Sequence, residues 1–269
     1  MTHALPYWHV DAFADRPFAG NQAAVMPLEN WLDDAVMLAI AEENLFAETA
    51  FVVRDTTAEA DWELRWFTPT EEVRLCGHAT LASGHVLLAR DGGERVTFRT
   101  RRAGLLAVER SGDAYELALP LIRTERGDWP EAVALLGAQP QEVWLNPDGY
   151  GIYLFADAAT VSALDPDLRG LGALGNDQFI CTAPGTDTDV VSRVFVPGGG
   201  VDEDSFTGSA HAALTYFWAE RLGRESFSAF QASQRGGYAH CCRDGDRAVL
   251  SGPCVTVVEG RFYLPQVSG

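Results

Sequence analysis

Two stretches of the chain change from strand-like to helix-like spacing of apolar residues in the same way. Trp62, Leu64 and Trp66 alternate with Glu63 and Arg65, as in a half-buried strand. The run His78 to Ala89 that follows is apolar nearly all round, which predicts a buried central helix, and Ala79, Ala82, Ser83 and Gly84 give it a small, closely packing surface. Val190–Val196 reads as another strand. Ala210, Ala213, Leu214, Phe217, Trp218 and Leu222 then recur at helical spacing, with Gly223 placed to end the helix.

The wording repeats as well as the pattern. Arg65-Trp66-Phe67-Thr68-Pro69 precedes Gly77-His78-Ala79-Thr80, and Arg193-Val194-Phe195-Val196-Pro197 precedes Gly208-Ser209-Ala210-His211. Each copy reads Arg-x-Phe-x-Pro, an acidic loop, then Gly-x-Ala opening a helix. Arg65 and Arg193 are 128 residues apart (193 minus 65), close to half of the 269-residue chain. An internal duplication is the reading, with two helix N-termini meeting at one cleft between like halves.

The remaining pattern fits two such halves. Strands are expected at Trp8–Phe13, Leu45–Val53, Arg95–Thr100, Leu105–Glu109 and Tyr115–Leu119, with a helix at Leu32–Ala41 ended by Glu42-Glu43-Asn44. The second half adds a helix at Pro130–Leu136 and strands at Val143–Leu145, Ile152–Phe155, Phe179–Thr182, Arg247–Leu250, Val255–Glu259 and Phe262–Leu264. The expected fold class is α+β: two pseudo-symmetric domains, each a curved, mostly antiparallel sheet around its own helix. The boundaries expected are 1–119 with a returning strand at 260–269, and 120–259.

Composition narrows the partners. Lys and Arg total 20 against 38 Asp and Glu, a net charge of −18, which argues against nucleic acid or an anionic membrane. A small anionic ligand remains compatible, since helix N-termini supply local positive potential. No apolar run reaches membrane-spanning length, and the opening Met1-Thr2-His3-Ala4-Leu5-Pro6 lacks the charged and apolar parts of a signal peptide. Five cysteines without regular spacing point to reduced thiols in a cytoplasm. Neither a zinc spacing nor a nucleotide-binding glycine motif is present, so no metal and no cofactor are expected.

The candidate chemistry lies at the helix starts and nearby strand ends. Thr207-Gly208-Ser209 opens a helix whose first N–H groups can bind an anion, and Asp204 sits just outside it. His78 is either a ligand contact or a polar end-group. Glu48 is either a solvated strand end or a proton carrier. Asn21 is either a ligand hydrogen-bonding group or part of a Gly-Asn turn.

Asp15-Arg16-Pro17-Phe18-Ala19-Gly20-Asn21, Glu48-Thr49-Ala50-Phe51, Gly77-His78-Ala79-Thr80 and Glu203-Asp204-x-x-Thr207-Gly208-Ser209-Ala210 resemble the phenazine biosynthesis PhzF-like family. So does Ser251-Gly252-x-x-Val255-Thr256-Val257-x-Glu259-Gly260, and the motifs keep the family's order over nearly the whole chain. The resemblance implies a diaminopimelate epimerase-like fold with the active site in the cleft between the halves, and a homodimer. It implies a cofactor-independent isomerase, of the type acting on dihydro-3-hydroxyanthranilate. Glu48 would move the proton, His78, Asp204 and Ser209 would hold and polarise the substrate, and the N–H groups of Gly77, His78, Gly208 and Ser209 would cradle a carboxylate.

Gly77 and Asp204 resemble the occupants of the places where racemases of this fold carry paired cysteines, which argues against two-thiol chemistry. Two departures from the family pattern are Ser205 after the motif aspartate and Gln22 after Asn21. The expectation is a cytoplasmic isomerase of a small, cyclic, unsaturated carboxylate. The alternatives are a non-catalytic small-carboxylate binding or interaction protein, and a Cys76-dependent enzyme with His78 as its base.

Overall fold

The computed structural model describes residues 3–264. Met1, Thr2 and residues 265–269 of the expected closing strand lie outside the described residues. The chain forms two compact units: one takes the residues up to Leu117 and resumes at Gly252, the other is Ala118–Ser251.

The first unit contains β1 (His3–Ala12), β2 (Asn21–Leu28), α1 (Asp34–Asn44), β3 (Glu48–Arg54), β4 (Trp62–Phe67), β5 (Glu72–Val73), α2 (Gly77–Asp91), β6 (Arg95–Thr100) and β7 (Leu105–Ser111), with β8 (Ala114–Pro120) at its end. The second contains β9 (Glu125–Gly127), α3 (Pro130–Leu135), β10 (Glu142–Asn146), β11 (Tyr150–Leu154), α4 (Ala158–Ser162), α5 (Leu168–Leu174), β12 (Gln178–Pro184) and β13 (Val190–Val196). It continues with β14 (Val201–Glu203), α6 (Gly208–Leu222), β15 (Ser226–Gln231), β16 (Gly237–Asp244) and β17 (Arg247–Gly252). The chain then returns to the first unit as β18 (Cys254–Leu264), antiparallel to β1.

The strand order repeats. In the first unit β1–β2 is antiparallel, β2–β3 parallel, β3–β4 antiparallel, β4–β6 parallel and β6–β7–β8 antiparallel. In the second, β10–β11, β11–β12, β12–β13, β13–β15 and β15–β16–β17 follow the same succession. The short edge strand β9 stands to β10 as β18 stands to β1. The duplication read from two short motifs extends over whole units.

Each sheet curves over its helix. α2 packs against β1, β2, β3, β6 and β7, and is buried almost throughout, as its all-round apolar sequence predicts. A Cβ on Gly84 would lie 2.4 Å from Val108 Cγ1, so the glycine is what lets β7 approach. α6 packs against β11, β15 and β16, and Gly223 caps it in the left-handed conformation at φ 63°.

Several sequence expectations shift. Glu42, Glu43 and Asn44 form the last turn of α1 rather than following it, so the next strand starts at Glu48 and not at Leu45. β2 was not expected: it is buried almost from end to end, so it shows no alternation, and it carries Pro27. β15 and β16 do alternate in burial, but their Ser, Ala, His and Cys are weak strand formers. The two strands expected near the end are one, β18, with a bulge where its register with β1 shifts between His9 and Val10. Among the described residues no helix is long and apolar enough to cross a membrane.

Candidate active site

In the first unit the starts of three elements converge. Asn21 opens β2, Glu48 opens β3 and His78 is the second residue of α2. Gly20 makes the tight path into β2 possible: its φ is 60°, and a Cβ there would sit 2.1 Å from the Ala12 carbonyl oxygen. The preceding loop is tied down by the buried Asp11, whose carboxylate accepts the Phe18 N–H at 2.8 Å.

His78 is bracketed on both ring nitrogens. Its Nδ1 is 3.2 Å from Asn21 Nδ2, and its Nε2 is 3.2 Å from Glu48 Oε2 and 3.2 Å from the Gln22 carbonyl oxygen. With the Asn21 amide donating to Nδ1, Nε2 carries the hydrogen and donates it to the Gln22 carbonyl, with Glu48 Oε2 close beside it. The His78 side chain is 5% exposed and that of Glu48 is 18% exposed, so the acid is the member that reaches the surface.

Cys76 caps α2 and is buried. Its Sγ is 3.5 Å from His78 Nδ1 and 4.0 Å from Nε2. Two such similar distances place the sulfur beside the ring, not along either nitrogen's lone pair. A Cys–His nucleophile pair needs an in-line contact, which this is not. Donor atoms of Glu48, Cys76 and His78 lie within 4.8 Å of one another. Both His78 ring nitrogens are already engaged, by the Asn21 amide and the Gln22 carbonyl.

The second unit presents a different set. Asp204 follows β14, its backbone N–H bonded to the Val194 carbonyl at 3.0 Å, and its carboxylate accepts the Thr207 hydroxyl at 2.6 Å. Gln231, fully buried, closes this loop: it accepts the Thr207 N–H at 2.9 Å and donates to the Asp204 carbonyl at 2.7 Å. His211 donates from Nδ1 to the Thr207 carbonyl at 2.9 Å and stacks on Phe206, with centroids 4.2 Å apart. Burial pushes its pKa down to about 4, against the opposing pull of the Thr207 carbonyl and Asp204. Gly208 opens α6, and Ser209 shares a hydrogen bond with the Gln178 amide, Oγ to Nε2 at 3.1 Å.

The candidate residues thus fall into two groups: Asn21, Glu48, Gly77 and His78 in the first unit, Asp204, Gly208 and Ser209 in the second. Gln22, Gln178 and Gln231 join them without having been expected. Glutamine carries no motif signal by itself, and each owes its place to a strand register invisible in local sequence.

A helix held inside a curved sheet, built twice with matching topology, defines the class of α+β proteins with the diaminopimelate epimerase-like fold. A solved hydroxyproline epimerase from Agrobacterium vitis shares this fold at 13% identity, with a TM-score of 0.63 and coverage of 97% of this chain and 93% of that one.

Within the class, the chain belongs to the phenazine biosynthesis-like protein family, which it matches over residues 10–260. It is similar to a Pseudomonas aeruginosa protein named as an isomerase, with 44% identity over 263 residues covering 97% of this chain and 99% of the relative. The crystal structure of a PhzF family protein from Enterococcus faecalis superposes with a TM-score of 0.90 at 40% identity, covering 97% of this chain and 100% of that one.

Proposed function

We propose that the protein is an isomerase that moves a proton on a small, unsaturated, carboxylated substrate, using general acid/base chemistry and no cofactor. The observation that carries this reading is the Glu48–His78 pair. A carboxyl group that is partly exposed can reach a substrate, and one side chain can then take a proton from one carbon and return it to another. The negative charge that develops meanwhile needs oriented donors, and an unsaturated substrate spreads it without an added electron sink.

Glu48 is the proton carrier. His78, fixed by Asn21 and the Gln22 carbonyl, stands 3.2 Å from the carboxylate and polarises the substrate beside it. Asp204 and Ser209 hold polar groups of the substrate, and the first-turn N–H groups of α6 beside them bind a carboxylate. Support for the activity comes from the isomerase naming of the Pseudomonas relative, and for the substrate type from the family resemblance.

The test is proton NMR in D2O with dihydro-3-hydroxyanthranilate and related cyclic carboxylates. Deuterium appearing at carbon with the wild type and not with Glu48→Gln is the expected result. Exchange that persists in the variant moves the base elsewhere. Binding without exchange in the wild type replaces the isomerase by a binding protein.

A further inference from the structure

The two units can be superimposed residue by residue through their strand registers. On β3 and β4, Thr49 pairs with Phe67 and Phe51 with Arg65. On β12 and β13, Phe179 pairs with Phe195 and Cys181 with Arg193. Arg65 and Arg193 are the repeated arginines of the duplication, so Phe51 and Cys181 are equivalent. Three residues earlier on each strand stand Glu48 and Gln178.

Burial agrees with the register. Both strands have seven residues, with a half-exposed first residue, five buried residues and an exposed last one. Contacts agree too. Glu48 Oε2 reaches His78, the second residue of α2, at 3.2 Å. Gln178 Nε2 reaches Ser209, the second residue of α6, at 3.1 Å. Each unit therefore carries the same device: a polar strand-start side chain set against the second residue of a helix that begins with glycine. It is charged in one unit and neutral in the other.

We infer that Gln178 binds the substrate beside Ser209 and determines its specificity for an anionic group. The inference rests on the proposed function. An amide neither ionises nor takes up a proton near neutral pH, so this copy of the device is unsuited to acid/base work. It offers a donor and an acceptor together, which suits a carboxylate oxygen or a hydroxyl. In a chain of net charge −18, a second glutamate at this position would repel a carboxylate, and the neutral amide removes that repulsion.

The test is calorimetric titration with 3-hydroxyanthranilate as a carboxylate probe, using the wild type, Gln178→Ala and Gln178→Glu, each repeated in the Glu48→Gln background. Loss of the amide should weaken binding roughly 3- to 10-fold, as for one neutral hydrogen bond. Gln178→Glu should weaken it at least about tenfold further at neutral pH. That additional loss should shrink as the pH falls and the introduced carboxyl is protonated, a recovery that mere damage to the fold would not give.

Wild-type affinity in both variants, or a Gln178→Glu defect independent of pH, overturns the inference. Failure of the wild type to bind the probe overturns it together with the carboxylate reading of the second unit. Loss of proton exchange in Glu48→Gln is read separately, so the role of Glu48 stands or falls apart from that of Gln178.

Discussion

Arg65 grips Glu72 through two parallel hydrogen bonds, Nε to Oε1 at 2.8 Å and Nη2 to Oε2 at 2.7 Å, from a side chain that is only 2% exposed. The hydrogen bonds from Arg65 hold the Glu72 carboxyl below its ordinary range. Arg193 grips Glu203 in the same forked way, at 2.8 and 2.9 Å. Each arginine also lies over the phenylalanine two residues on, at 5.0 Å for Phe67 and 4.9 Å for Phe195. The repeated Arg-x-Phe motif is thus a brace between a central strand and the short strand leading toward the helix.

Truncating this arginine leaves Glu72 only the half-exposed Arg101, 3.2 Å away. Arg65→Ala should cost about 1.5–3 kcal/mol of stability, the value of hydrogen bonds to a charged group. Lysine keeps the charge but not the fork and should recover only part of it. Urea unfolding of the two variants checks this; equal stability of Arg65→Ala and wild type would refute the brace.

Asn21 acts through His78 in the proposed mechanism. Asn21→Leu should lower kcat/KM by roughly 3- to 10-fold, the value of one hydrogen bond to the ring, while Glu48→Gln lowers it by about 10²- to 10⁴-fold. Steady-state kinetics on the substrate identified by deuterium exchange separates the two. Comparable losses in both variants would mean that the imidazole, not the carboxylate, dominates.

Cys76→Ala should keep turnover within about threefold of wild type, because the sulfur lies along neither imidazole lone pair. Rapid inactivation by iodoacetamide that substrate prevents, together with a dead alanine variant, would make the thiol catalytic.

His211 should make the protein sensitive to mild acid. Its folded pKa is held near 4, below the ordinary 6.5, so as pH falls below 6.5 the unfolded chain takes up a proton that the folded chain refuses. The stability this group supplies is complete above pH 6.5 and is lost as pH falls toward 4, by up to about 3 kcal/mol. His85, also near 4 through burial, adds in the same direction. Melting temperatures at pH 7, 6 and 5 should decline less steeply for His211→Gln than for wild type. Parallel declines would remove His211 from the account.

Gly84→Ala should destabilise the first unit by about 1–3 kcal/mol. The new methyl would meet Val108, whose Cγ1, Cβ and Cγ2 all lie within 2.9 Å of it and whose branched side chain has no flexible end to yield. Thermal denaturation measures the loss.

How far the sequence discloses this arrangement depends on the range of the interaction. The two central helices and the strand Trp62–Phe67 follow from local periodicity, and the duplication follows from Arg65 and Arg193. β2 escapes because a fully buried parallel strand has no polar beat, though it delivers Asn21. The equivalence of Glu48 and Gln178 escapes because the β3–β4 connection is seven residues (55–61) and the β12–β13 connection five (185–189), which breaks a fixed offset. For Glu48 only the family resemblance decides between a solvated strand end and a proton carrier; that it meets His78 depends on strand and helix geometry, not on sequence distance.

The return of β18 to β1 has a consequence for biosynthesis. The second unit is one uninterrupted stretch, Ala118–Ser251, and all of its strands exist before β18 is translated. The first unit, though started earlier, leaves the inner edge of β1 unpaired until the last strand emerges. Contacts of such long sequence separation form late. The half made second therefore has all of its own strands before the first half has β18, and a nascent chain stopped just short of β18 exposes a ten-residue strand edge to its neighbours on the polysome.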